Sequence, residues 1–179
     1  PVYVLNHIVH NSHVVNELRH KGAVFVKDLD EVPKGAHLLF SAHGVGPDRW
    51  EKARDLNLEV IDATCPLVEK VHHEARRFAD KSYTIILIGE EGHDETIGTM
   101  GQAPENIRLI QTKEEVAELE VPDEENLAYI TQTTLSVDDC QAVIDALKAK
   151  FPHIQGPPKE DICYEIGRAS CRERVYCEV

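Results

Sequence analysis

Residues 61–73, IDATCPLVEKVHH, put a cysteine where a short apolar run meets a helix. The preceding LEVI reads as a buried strand, and Pro66 suits a first helical turn, where its missing N–H leaves no bond unmade. Cys65 therefore falls at a helix N-terminus. Unpaired N–H groups and the helix dipole stabilise negative charge there, and a thiolate is the form of cysteine that binds metal or attacks an electrophile. A small buried hydrophobe is the competing reading of any single cysteine.

Upstream of this stretch, VYVL reads as a strand, SHVVNELRHK as a helix stopping at Gly22, and AVFV and HLLFSA as two more strands. A helix from Pro47 to about Asn57 leads into the strand before Cys65. Downstream, PLVEKVHHEARRFADK is helical and YTIILIG is the clearest buried strand in the chain. GEEGHDETIGTMGQ follows as a glycine-punctuated loop with room for a short helix. IRLI and LAYI are further strands, separated by a helix KEEVAEL for which Thr112 and Glu115 form a capping box. Ser136, Asp138 and Asp139 suit the start of a helix through VIDALKAK, and a weak strand lies near HIQ.

Composition bounds the answer from outside. At 179 residues, 42% hydrophobic and 28% charged, the chain has material for one domain or two small ones with a true core. No run reaches the roughly 18 apolar residues of a membrane span, and PVYVLNHIVH has neither the basic flank nor the cleavage site of a signal peptide. The cytosol is the default compartment. Five cysteines without regular spacing argue for reduced thiols rather than a disulfide framework. A net charge of −13 disfavours a nucleic-acid surface, which needs Lys and Arg against phosphates.

The two halves of this order resemble a diverged internal repeat. The first strand of each runs into a loop bearing a histidine, His10 or His93. The third ends in a polar turn, SAHG or TQTT, and the fourth in Asp and then Cys: Asp62 and Cys65, Asp161 and Cys163. Alternating strands and helices imply small parallel sheets, which carry ligands at the carboxyl ends of their strands. His10, His43, Cys65, His93, Thr133 and Cys163 all fall at such ends. Glu95, two residues after His93, is either a helix-starting acid or a proton donor. His72 and His73 read as packing or solvent-facing positions inside a helix, and Cys140 as packing. By residue chemistry alone the set is a metal or redox site that tolerates an anion, with no reaction specified.

As a set, VHNSHVV, FSAHGV, DATCPLVEKVH, GHDETIGTMGQ, TQTTLSVDD and DICY, in this order, closely resemble the LytB/IspH family of 4-hydroxy-3-methylbut-2-enyl diphosphate reductases. The resemblance runs from residue 1 to about 164. It implies an α/β trefoil of three pseudo-repeated units around an iron–sulfur cluster. Two units are expected here, residues 1–65 and 66–162, with residues 163–179 starting a third and running into a tail foreign to the family. That tail, EIGRASCRERVYCEV, crowds three arginines and is expected to be a frameshift or an assembly artefact. The family's first cluster cysteine and its Ser/Asn diphosphate anchors are expected in segments outside this sequence, so that the fragment is inactive alone.

The implied reaction, in the non-mevalonate route to isoprenoids, is reductive removal of an allylic hydroxyl, giving isopentenyl and dimethylallyl diphosphates. The resemblance assigns Cys65 and Cys163 to a [4Fe-4S] cluster, Glu95 to proton delivery, and His10, His43, His93 and Thr133 to the diphosphate substrate. Ferredoxin or flavodoxin is the implied electron donor, and a plastid is an alternative compartment if a transit segment precedes Pro1. A His-rich mononuclear metal hydrolase or binding module using His10, His43, His93 and Glu95 is the competing function.

Overall fold

The computed structural model describes residues 1–6 and 12–157. The chain alternates strand and helix almost throughout, and every strand pairing is parallel. Strands β1 (Val2–Leu5), β2 (Val24–Val26), β3 (His37–Phe40) and β4 (Glu59–Asp62) form one sheet in the order β2-β1-β3-β4. Helices α1 (Ser12–His20) and α2 (Pro47–Asp55) are its crossovers. A second sheet, β6-β5-β7, uses β5 (Thr84–Ile88), β6 (Ile107–Ile110) and β7 (Leu127–Thr131). Around it stand α3 (Pro66–Ala79), α4 (Asp94–Met100), α5 (Lys113–Glu118) and α6 (Val137–Lys150).

The second sheet follows the strand period of two on both faces. Ile86, Ile88, Leu127 and Tyr129 point to one side, against Cys140, Val143, Ile144 and Leu147 of α6. Ile85, Leu87, Ala128 and Ile130 point to the other, against Val71, Ala75 and Phe78 of α3. The spacings on α6 and α3 are those of one helical stripe, so two periods interlock into a closed three-layer sandwich. Continuous apolar strands such as TIILI are what a parallel sheet buried on both faces requires.

The first sheet is covered less completely. On one face Leu5, Val26, Leu38 and Phe40 pack with Leu29, Ala53 and Trp50, the last two from α2. Phe40 and Trp50 meet edge to face with centroids 4.9 Å apart. The register aligns Val4, Phe25, Leu39 and Ile61 in a row across the opposite face. Arg19 of α1 lies over the Phe25 ring at 5.1 Å, but Ile61 is 50% exposed.

One local expectation is met and two change in detail. The glycine-punctuated loop contains a true helix, α4, whose N-cap is His93: its Nδ1 accepts the Glu95 N–H. At Thr112 only half of the capping box forms. Its hydroxyl accepts from the Glu115 amide, while the Glu115 carboxylate takes the Gln111 N–H instead. The reciprocal box occurs at Asp28 and Glu31, ahead of a 3-10 turn at Leu29–Glu31. The weak strand near HIQ is a single parallel bridge of Gln155 to β7.

Candidate functional site

The carboxyl ends of the strands come together where the two sheets meet. His43 follows β3, Cys65 follows β4, His93 follows β5, and Thr133 follows β7. Pairing continues past the strand ends, with the Ala63 amide donating to the Phe40 carbonyl and the Cys65 amide to the Ala42 carbonyl at 3.0 Å. That bond ties the cysteine loop to the residue before His43. Across the seam the His43 and His93 rings meet edge to face, centroids 5.5 Å apart. His43 is buried and shares a 3.3 Å hydrogen bond with the Ser41 hydroxyl through Nδ1.

The seam has no room for side chains. A Cβ on Gly98 would lie 3.1 Å from the Gly44 carbonyl oxygen, and one on Gly101 would lie 3.0 Å from the Gly46 Cα. Glycine pairs therefore let the loop after β3 lie backbone to backbone on α4. Gln102 donates to the Val45 carbonyl, and Asn6, at the end of β1, donates to Asp94 at 2.9 Å. These contacts hold His43 against His93.

Glu95 is the most deeply set ionisable group here, 1% exposed in the first turn of α4. The Thr133 amide donates to one carboxyl oxygen at 2.6 Å and the Thr133 hydroxyl faces the other at 3.0 Å. Burial pushes the carboxyl pKa up, while the Thr133 amide and the Thr133 and Thr134 hydroxyls pull it back. Burial wins, so the acid form persists to higher pH than in water.

Gln132 completes the floor, and the sequence reading passes over it. Its Oε1 accepts from the Glu90 amide at 2.8 Å and the Thr96 hydroxyl at 3.0 Å, and its Nε2 donates to the Thr134 hydroxyl at 2.6 Å. The signal available was a wide polar side chain directly after a fully buried strand, in a turn already noted for its threonines.

His43, Cys65, His93, Glu95 and Thr133 thus lie around one seam, whereas His10 and Cys163 fall outside the described residues. The Cys65 side chain makes no helix-capping bond and is partly exposed. Cys140 is sealed in the second sheet's core, as its packing role requires. His72 is buried and His73 exposed. Burial, reinforced by the Arg76 charge and opposed by Asp62, holds the His72 pKa down to about 4. A groove of about 570 Å³ runs between α2 and α3, lined in part by Trp50, Arg54, Thr64, His72 and Arg76. Among the described residues no three His, Cys, Asp or Glu side chains converge as metal ligands. No described helix is long and apolar enough to cross a membrane.

Comparison with known proteins places this geometry. A 4-hydroxy-3-methylbut-2-enyl diphosphate reductase of Rhodopirellula baltica is 58% identical over 164 residues, 92% of this chain and 51% of that protein. One of Streptomyces coelicolor is 54% identical over 164 residues, 92% of this chain and 48% of its own length. Among solved structures, the E-1-hydroxy-2-methyl-but-2-enyl-4-diphosphate reductase of Plasmodium falciparum superposes with a TM-score of 0.89 at 45% identity, covering 93% of this chain and 52% of that one. The chain thus spans about half the length of the curated relatives it matches. Two small parallel sheets joined at their carboxyl ends are accordingly part of the trefoil architecture that the motifs implied. The family model described as LytB protein matches residues 1–172, and the chain belongs to that family.

Proposed function

We propose that the chain is part of a 4-hydroxy-3-methylbut-2-enyl diphosphate reductase, removing the allylic hydroxyl of its substrate to give isopentenyl and dimethylallyl diphosphates. The single observation that carries this reading is the Glu95–Thr133 pair, a buried acid with a raised pKa and a hydroxyl 3.0 Å away, set beside two imidazoles. Loss of a hydroxyl as water consumes protons, and a carboxyl that burial makes hold its proton to higher pH than in water is suited to supply one. Thr133 would orient both the Glu95 carboxyl and the leaving hydroxyl. His43 and His93, with His10, would present imidazole N–H donors to the diphosphate, whose charge needs such donors in a closed cavity.

The residues present fit an iron–sulfur centre in donor chemistry. Cys65 sits at the N-terminus of α3 with its sulfur uncommitted to capping, and Cys163 would be the second ligand. The electrons would come from a [4Fe-4S] cluster held by these thiolates, with a ferredoxin or flavodoxin as donor. In this reading residues 1–65 and 66–162 are two units of the trefoil and residue 163 opens a third, and the protein works in the cytoplasm or a plastid.

Anaerobic reconstitution with iron and sulfide tests the assignment. A protein of the relatives' full length bearing this chain should gain broad visible absorbance, and Cys65→Ser should lose it. Stoichiometric zinc retained in that variant, without the absorbance, would overturn the reading. In the same protein Glu95→Gln should lower turnover by about 10²-fold or more, the ordinary contribution of a positioned acid, with the cluster spectrum intact.

A further inference from the structure

His72 does something that the stripe it belongs to does not explain. Val68, Val71, Ala75 and Phe78 give α3 an apolar face, and His72 interrupts it with an imidazole only 5% exposed whose Nε2 has no hydrogen-bond partner. A buried, unpaired polar atom is a poor choice for stability alone, and an aliphatic side chain would fill the space at lower cost. The ring stands where two loops of the site touch. Gly44, next to His43, has a φ of 71°, and a Cβ there would lie 2.7 Å from His72 Cε1, 3.1 Å from Thr64 Cγ2 and 3.2 Å from Val68 Cγ1. Thr64 precedes Cys65, whose amide bonds to Ala42 on the other side of His43. His72 and Thr64 also line the groove between α2 and α3, so the ring stands between that groove and Gly44.

We infer that His72 is a positioning residue: its flat ring, wedged against Gly44 and beside Thr64, fixes the spacing between the loop that carries His43 and the loop that carries Cys65. The shape of the ring is what matters. Its bearing on catalysis rests on the reductase reading, but the packing claim does not, and the test contains no iron, sulfide or substrate. Failure of either reading is therefore visible without the other.

The test is alkylation of the native chain by iodoacetamide at fixed pH, with each cysteine followed by peptide mass mapping. Cys140, 1% exposed in the core of the second sheet, reports any global loosening. His72→Ala opens the wall to the groove, and Cys65 should label about fivefold faster or more, with Cys140 unchanged, as expected for local opening. His72→Gln, which keeps most of the volume, should stay within about twofold of the parent. Thr64→Ser is the gentler probe: it keeps the hydroxyl that bonds Asp62 and deletes the methyl facing Gly44. It should raise Cys65 labelling by about two- to threefold. Parental Cys65 labelling in both His72→Ala and Thr64→Ser overturns the inference. So does a joint rise of Cys65 and Cys140 in the Thr64→Ser chain.

Discussion

The two sheets are built on the same alternation of strand and helix, yet only the second is closed. Every residue of β7 is buried and β5 is buried from Ile85 onward, with a helical layer on each side. In the first sheet one face is packed by α2, while the row Val4, Phe25, Leu39 and Ile61 is covered only toward α1. Parallel sheets ordinarily bury both faces, and among the described residues the first sheet leaves one face partly open, with Ile61 50% exposed. The difference is one of burial: the second sheet is packed on both faces, and the first meets α4 at the glycine seam.

The comparison breaks most readily at the second sheet. Leu87, fully buried at the centre of β5, should lose about 2–5 kcal/mol on replacement by Ala, read from the urea midpoint. The equivalent change at Leu39, on the open face of the first sheet, should cost clearly less. Equal losses would mean that both sheets are equally closed.

The next effect in size is on pH dependence. His72 is ordinarily protonated below 6.5 but in the fold only below about 4, so between those values the unfolded chain binds the extra proton and acidification favours unfolding. The ring should remove up to about 3 kcal/mol of stability as pH falls from 6.5 to 4, a loss absent in His72→Gln. Glu95 acts in the opposite sense. Its raised pKa means the fold holds the proton more tightly, so its contribution weakens as pH rises above 4.5, and unfolding curves of Glu95→Gln should lack that decline.

Smaller effects sharpen the contrast within the first sheet. Arg19→Ala, removing the cation above Phe25, should cost about 0.5–1 kcal/mol in thermal unfolding. Ile61→Ser, at a half-exposed position, should stay within about 0.5 kcal/mol in this chain. A large loss at Ile61 would show that something already covers it. Amide exchange should be slowest in β5 and β7 and faster throughout β1 to β4.

Much of this was legible in the residues themselves. YTIILIG reads as a buried strand and LAYI as another, and Pro66 after Cys65 fixed the start of α3 to the residue. The strand-end rule gathered His43, Cys65, His93 and Thr133, which lie more than sixty positions apart at the extremes of sequence. What stayed hidden depended on partners rather than on period. Glu95 looked as much like a helix-starting acid as a proton donor, and it is structurally the first as well: only the Thr133 bonds, made across 38 positions, show the second possibility. The reciprocal half of the Thr112 box is absent because the Gln111 N–H takes the Glu115 carboxylate. Gln132 was missed because a side-chain amide acquires meaning only once the groups it bridges are known.

The contact of Gly44 with Gly98 and of Gly46 with Gly101 has a practical consequence for mutational maps. A scan of every single substitution would find intolerance at four positions in two segments some fifty residues apart, a pattern easily mistaken for a second catalytic patch. None of the four carries a functional group. What such a map would be recording is the thickness of a methyl: at Gly98 and Gly101 it meets backbone across the joint, and at Gly44 it meets the His72 ring from a left-handed backbone conformation.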